Sequence, residues 1–263
     1  MSKRFNRGIK IWMVVVYCII FMPIAVIILE SFNATDYGKF PFEFTLKWYT
    51  YLFTESELFP ATFLSLELAL SVCVSVMVIG TMAAVGLQYL PSKVTSKLNM
   101  VTQLPITIPW LVQAISLLLL LNFTGLGRSF GGMFFGNLIV VLPYVIMMVS
   151  GRFAGADRTP EDAARMLGAR PIRVFKDVTL PMLMPGIVSG GLMSFMVCFN
   201  AFAMQYFLAP FGVRTLPMEI FTLVRVGYKP DLNALATLLI LLTTLIVLAL
   251  NKLGYSAKKT FGV

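Results

Sequence analysis

The sequence predicts an all-α integral membrane protein whose six helices cross the bilayer within a single domain, residues 1–263. The first reason is composition, because 58% of the residues are hydrophobic, only 13% are charged and the mean hydropathy is +0.85. The second reason is that the apolar residues gather into stretches close to the roughly 20 residues that a helix needs to cross a bilayer. These candidate spans are residues 11–29, 61–90, 100–123, 133–151, 182–209 and 233–250.

The first span follows the basic segment MSKRFNRGIK, an arrangement that secretory signals share. Its apolar run, residues 11–29, is longer than the apolar part of a signal, and no small-residue cleavage site follows it. We therefore predict an uncleaved membrane anchor, with a kink at Pro23.

The middle spans differ in length and contain prolines. Residues 61–90 exceed the thickness of the hydrocarbon core, so this helix is expected to tilt or to extend beyond the lipid. Pro105 and Pro109 interrupt the third span, and Pro143 lies in the fourth. Because a proline leaves a carbonyl without its helical donor, neighbouring helices or a wet cavity are expected to satisfy these carbonyls.

The glycine-rich segment GLGRSFGG, residues 125–132, separates the third and fourth spans. A phosphate-binding loop would need a Gly-Lys-Ser/Thr sequence after a strand, and this segment lacks that sequence. We interpret it as a turn and expect any ATP to be bound by another chain.

The basic residues predict the orientation in the membrane. Fifteen of the 21 lysines and arginines lie at the two termini, after the second span, and in residues 152–176. Cytoplasmic loops are rich in lysine and arginine, so these parts, including both termini, are predicted to lie on the cytoplasmic side of the membrane. The net charge of +9 is then a topology signal, and no nucleic-acid partner is expected.

Groups that carry catalysis or bind metals are scarce. There is no histidine, and Cys18, Cys73 and Cys198 lie far apart in apolar runs, where they are expected to be buried. A membrane-embedded enzyme would need a carboxylate pair, a Ser/Lys dyad or a metal cluster, whereas Glu67 is the one clear acid within a span. The sequence therefore predicts a chain that is not an enzyme and has no metal or cofactor of its own.

A long polar stretch, residues 152–181, interrupts the apolar C-terminal half and predicts two short helices. Thr159 is the expected N-cap of the first, with Pro160 at the first helical position and Asp162 completing a variant capping box. Gly168 supplies the left-handed position that often ends a helix.

Pro171 opens the second short helix and Pro181 is expected to close it. Apolar residues recur along this helix at helical spacing, and basic residues surround them. The apolar residues are Ile172, Phe175 and Val178, and the basic ones are Arg165, Arg170, Arg173 and Lys176.

The same residues resemble the EAA loop of bacterial ABC importer permeases, whose pattern is EAA, a glycine at a fixed distance, then Ile-x-Leu-Pro. The matching residues are Asp162, Ala163, Ala164, Gly168, Val178, Leu180 and Pro181. Asp162 holds the position of the family's glutamate, with Glu161 one place earlier, and Val178 replaces the isoleucine.

This resemblance implies that residues 152–181 form a coupling loop that docks into an ATPase subunit. The coupling residues that it implies are Glu161, Asp162, Ala163, Ala164, Leu167, Gly168, Phe175, Leu180 and Pro181. The alternative is an amphipathic helix pair that rests on anionic lipid.

A closer resemblance extends over nearly the whole chain. The segments TLKWYTYLF near residue 45 and LPMEIFTLVRVGYKPDLNALATLL at residues 216–239 resemble the second permease of the spermidine/putrescine importer family. The resemblance implies the six-helix type I importer fold and pairing with a second, similar permease in a heterodimer. It also implies two ATPase subunits, which bind ATP and magnesium, and an external substrate-binding protein.

Polar residues within the spans are candidates for the solute path, because they are costly in lipid. The candidates are Asn200, Gln205, Tyr206, Gln103 and Glu67. Each of them could instead bond a neighbouring helix, and Glu67 could lie at the external interface and reach water.

The resemblance implies a polyamine-type solute. Many members of that family carry an acidic pair in the fifth span, where this chain has Asn200 and Ala201. A zwitterionic or anionic solute, such as an aminoalkylphosphonate, is therefore the alternative. A channel or secondary carrier that works without ATPase subunits is the rival from another class.

Overall fold

The computed structural model describes residues 3–35, 41–227 and 229–252, and these fold almost entirely into helices. The helices are α1 Lys3–Glu30, α2 Lys47–Thr54, α3 Leu58–Gln88, α4 Ser92–Thr107, α5 Trp110–Phe123, α6 Phe130–Ala154, α7 Thr159–Met166, α8 Pro171–Val174, α9 Leu180–Phe199, α10 Phe202–Leu208, α11 Leu216–Val226 and α12 Asp231–Lys252, with a π-helical turn at Phe175–Thr179 between α8 and α9.

Five helices in the described ranges are long and apolar enough to cross a membrane, and a bent pair supplies a sixth span. The predicted all-α membrane fold is therefore confirmed. The third span differs from the prediction, because α4 and α5 meet at an angle of 100°.

The bend between α4 and α5 lies at Pro109. Ile108 is extended, with ψ 133°, as expected for a residue before a proline, whereas Pro105 lies inside α4. The side-chain amide of Gln113 donates to the carbonyl oxygens of both Pro105 and Ile108, the latter at 2.7 Å. The donor at this break therefore comes from the same span, whereas the sequence predicted a neighbouring helix or a wet cavity.

The fifth span begins earlier than predicted, because residues Pro171–Phe199 form one continuous helix of 29 residues. The prediction that Pro181 ends a short helix is therefore wrong. The Leu180 N–H donates to the Phe175 carbonyl, five residues earlier, which defines the π turn. This wider turn relieves the clash between a proline ring and the carbonyl four residues before it.

The fifth span also ends earlier than predicted, at Phe199. Asn200 caps α9, Ala201 leaves the helical conformation with ψ 61°, and α10 then begins. Two side-chain amides bind main-chain carbonyls near this break: Gln205 donates to Cys198 at 2.7 Å and Asn200 donates to Met196 at 2.8 Å. The break is therefore stabilised by amides, as at Pro109.

Residues 62–218 form one compact unit, whose core is the pair α6 and α9. Glycines bring these helices close together: a Cβ at Gly190 would lie 2.9 Å from the Cα of Val145, and one at Gly186 would lie 3.0 Å from the Met148 carbonyl oxygen. Two small residues four positions apart on one helix face are a common means of packing membrane helices.

The turn before α6 contains the glycine-rich segment. Gly125 and Gly127 have positive φ values of 76° and 60°. Ser129 then caps α6, because its hydroxyl accepts from the Gly132 N–H at 3.0 Å. Residues 125–129 form the predicted turn between spans, whereas residues 130–132 already belong to α6.

Residues 3–35, 41–61, 219–227 and 229–252 form the other unit, within which α12 packs against α1 and α2. Asp231, at the start of α12, is buried and accepts a hydrogen bond from the Ser56 hydroxyl at 2.7 Å. No residue of α1 between positions 8 and 30 is fully buried, and Cys18 is exposed there, unlike the buried Cys198. The burial predicted for Cys18 is wrong because this surface of α1 faces outward from the chain.

Candidate functional site

The coupling loop, residues 152–181, begins with a cap that differs from the predicted one. Helix α7 starts at Thr159 itself, so Thr159 is not the N-cap and no capping box forms. The carboxylate of Asp157 accepts from both the hydroxyl and the N–H of Thr159, at 2.6 and 3.0 Å. Both hydrogen bonds from Thr159 lower the pKa of Asp157, and the bond from the hydroxyl has the larger effect. The carboxylate therefore stays ionised and remains an acceptor.

Helix α7 ends at Gly168 in the way predicted. Gly168 follows the C-cap and has φ +81°, which confirms the left-handed conformation. Its N–H donates to the Arg165 carbonyl, and the Ala169 N–H donates to the Ala164 carbonyl, at 2.9 and 3.1 Å. This bond pair is the Schellman motif, which turns the chain sharply into α8.

The two adjacent acidic residues of α7 lie in opposite environments. Glu161 is only 5% exposed and accepts a hydrogen bond from the hydroxyl of Thr179, which is itself 4% exposed. Asp162, which holds the position of the family's glutamate, is exposed. The carboxylate that organises the loop internally is therefore Glu161.

Large apolar side chains project from the coupling loop. Met166 and Leu167 are each 89% exposed and Ile172 is 73% exposed, which leaves an unusual amount of apolar surface on a short polar segment. We call these three residues the apolar tip. Exposed basic residues surround it, namely Arg165, Arg170, Arg173 and Lys176.

The remaining predicted coupling residues lie around the apolar tip and differ in burial. Ala163 and Pro181 are exposed, whereas Ala164, Phe175 and Leu180 are half-buried. Met166 and Ile172 were not among the coupling residues predicted from the sequence. Met166 is the last residue of α7 and directly precedes Leu167, and this position at the end of a short polar helix was the available signal.

Arginines attach the coupling loop to the spans. The Arg152 side chain, at the end of α6, donates to the Met182 carbonyl of α9 at 3.3 Å. Arg158 donates to the side chain of Gln88 at the end of α3, at 3.2 Å, and lies 5.0 Å from the ring of Phe153. These contacts therefore connect the loop to the ends of α3, α6 and α9.

The predicted solute-path residues do not form one polar cluster. Asn200 is exposed at the end of α9, but its amide binds the Met196 carbonyl. Gln205 is fully buried on α10 and its amide binds the Cys198 carbonyl, while Tyr206 is partly exposed and packs against Phe202 and Phe207. The prediction that these residues lie within one continuous span, residues 182–209, is wrong, because the helix breaks at Asn200.

The other two predicted path residues lie on outward surfaces. Gln103 is exposed on α4. Glu67 is exposed on α3, on a face that it shares with Leu70, Val74 and Val78, which are also exposed. A carboxylate on such an apolar face needs water or another protein group beside it, because lipid does not solvate it.

A cavity of about 350 Å³ lies where α4, α5, α6 and α10 meet, and its lining is almost entirely apolar. Gln113 contributes an amide, but that amide is engaged with the carbonyls at the break. The cavity offers no ionisable group to a charged solute.

Comparison with known proteins gives consistent matches. The profile of a family described as binding-protein-dependent transport system inner membrane component matches residues 76–259. The spermidine/putrescine transport system permease protein PotC of Haemophilus influenzae is 30% identical over 247 residues, which cover 94% of this chain and 95% of that protein. The putrescine transport system permease protein PotI of Escherichia coli K12 is 31% identical over 242 residues, covering 87% and 85%.

A solved structure has a similar fold. A bacterial ABC transporter involved in the import of the acidic polysaccharide alginate matches with a TM-score of 0.74 at 14% identity, over 97% of this chain and 99% of that chain. At this identity, the likeness concerns the arrangement of the helices alone.

Proposed function

The chain belongs to the family of inner membrane components of binding-protein-dependent transport systems, and we propose that it is one of two permeases in an ATP-driven importer of a small organic solute. Its partners in this proposal are a second permease, two ATPase subunits that bind ATP and magnesium, and an external substrate-binding protein. The chain itself carries out no bond chemistry. It moves the solute by alternating between outward-open and inward-open states.

The observation that carries the proposal is the exposure of the apolar tip, Met166, Leu167 and Ile172. Burial of a leucine-sized side chain stabilises a complex by about 1.5–3 kcal/mol, so three of them on one short loop favour docking into a protein groove. A loop that rests on anionic lipid would bind it through the basic residues instead, and it would not need a left-handed Gly168 to orient the apolar tip. We therefore assign the tip to an ATPase subunit.

The orientation that this proposal requires is open to a labelling test. With the native cysteines replaced, single cysteines at Lys97 and Arg170 are expected to react with a membrane-impermeant maleimide only in inside-out vesicles. A cysteine at Arg128, in the turn before α6, is expected to react only from the outside. All three positions are exposed. Reaction of position 170 from outside would place the coupling loop on the wrong side for the ATPase.

We propose a polyamine-type solute, with Glu67 as the acidic group that this chain contributes to the path. The names of the relatives support a polyamine, and α9 carries no carboxylate of its own. Glu67 lies nine residues into α3, about 13 Å from the start of the helix and thus inside one membrane interface. The alternative, a zwitterionic or anionic solute, is favoured by the same lack of acids in α9.

The experiment is ATP-driven uptake by the reconstituted complex with its binding protein. Putrescine uptake is expected to require ATP, and Glu67→Gln is expected to lower its rate about tenfold, because an amide binds an ammonium group less well than a carboxylate does. Glu55→Gln, an exposed acid outside the span, is the matched control and should retain the wild-type rate. Uptake without ATPase subunits would indicate a carrier, and uptake of an aminoalkylphosphonate in preference to putrescine would support the alternative solute.

A further inference from the structure

A buried hydrogen bond joins the first helix of the coupling loop to the helix that enters the membrane. Glu161 on α7 accepts from Thr179, which is 18 positions later in the π turn, and both residues are almost fully buried. Glu161 is therefore not available to a docking partner. Its contact lies behind the exposed apolar tip, between that tip and α9.

The π turn carries this contact directly into the fifth span. Phe175–Thr179 lies within the continuous helix Pro171–Phe199, so Thr179 belongs to the same helix as the membrane-spanning residues of α9. π turns interrupt the regular hydrogen-bond ladder and occur often at functional sites. A force applied to α7 can reach the span through Glu161 without passing through the corner at Gly168.

We propose that Glu161 is a positioning residue whose hydrogen bond with Thr179 transmits the displacement of α7 to α9. The inference rests on the proposed function, because the displacement is that of a docked ATPase subunit. When the bond is absent, the apolar tip still binds the ATPase, but α7 moves without moving the span. ATP is then hydrolysed with less solute transported per ATP.

The experiment compares Glu161→Ala, Thr179→Val and the double variant in the whole complex, reconstituted in lipid vesicles. Each variant is expected to retain its ATPase subunits and their ATP hydrolysis. The amount of solute transported per ATP is expected to fall about fivefold or more, a change that corresponds to the lower end of typical coupling free energies. The double variant should be no worse than either single variant, because both remove the same bond. Glu161→Gln and Thr179→Ser keep an acceptor and a hydroxyl respectively and should restore the ratio.

Asp177→Ala is the matched control, because Asp177 is an exposed carboxylate of the same π turn. A wild-type ratio in Glu161→Ala would overturn the inference, as would a loss in Asp177→Ala equal to that in Glu161→Ala. Loss of the ATPase subunits, or failure of both single variants to elute as folded complexes in gel filtration, would show a structural or docking role instead. If the wild-type complex itself bound no ATPase, the proposed function would fail before this inference is reached.

Discussion

Gly190→Leu is expected to abolish folding of the permease core. A Cβ at Gly190 would lie 2.9 Å from the Cα of Val145, which is main chain and moves only if α6 separates from α9. Overpacking in a well-packed core typically costs about 1–3 kcal/mol, and a leucine against backbone is expected to exceed that range. The measurement is the fraction of detergent-solubilised protein that elutes as a monodisperse peak in gel filtration, together with its thermal stability.

Gly86→Leu is the matched control. Gly86 lies on α3 with no atom within 4 Å of the position that its Cβ would occupy, so a leucine there should leave the monodisperse fraction unchanged. Gly190→Ala should give an intermediate loss of thermal stability. A wild-type elution profile and melting temperature for Gly190→Leu would mean that α6 and α9 do not pack as closely as described.

Much of the fold was predictable because lipid imposes simple requirements on a sequence. The apolar stretches near residues 11–29, 61–90, 133–151 and 233–250 correspond to α1, α3, α6 and α12, since a helix in a bilayer needs both length and apolarity. The hydropathy along each stretch is therefore enough to predict a membrane-spanning helix there. No knowledge of packing is required.

The helix breaks were less predictable because they depend on partners elsewhere in the structure. Pro109 indicated an interruption, but the 100° bend also involves Gln113, whose amide donates to the main-chain carbonyls at the break. No proline or glycine marks the break after Phe199, where Gln205 binds the Cys198 carbonyl. Pro181 would suggest a helix end in most contexts, and here a π turn accommodates it.

The candidate site divides in the same way. The left-handed Gly168 was predictable because its conformation depends on the local chain alone. The roles of Glu161 and Asp162 were not, since adjacent residues on a helix point about 100° apart and only packing decides which is buried. The close approach of α6 and α9 was also missed, although Gly186 and Gly190 carry the small-residue spacing that indicates it.

Gly168→Val is expected to uncouple the permease from its ATPase subunits while leaving the spans folded. At φ +81° a β-branched residue is strongly disfavoured, at a cost of roughly 1–2 kcal/mol or more. The chain relieves that strain by changing the corner between α7 and α8, which separates Met166 and Leu167 from Ile172 and so disrupts the apolar tip. The measurements are retention of the ATPase subunits in a pull-down of the whole complex and solute-stimulated ATP hydrolysis in lipid, and both are expected to fall.

Gly168→Asn separates conformation from side-chain bulk at this corner. Asparagine tolerates the left-handed region, and no atom lies within 4 Å of a Cβ at this position, so Gly168→Asn should retain most of the docking and hydrolysis that Gly168→Val loses. If the loop instead rests on anionic lipid, neither variant should change assembly, because the basic residues would still meet the headgroups. Wild-type assembly with wild-type stimulated hydrolysis in Gly168→Val would therefore refute the coupling role of this loop.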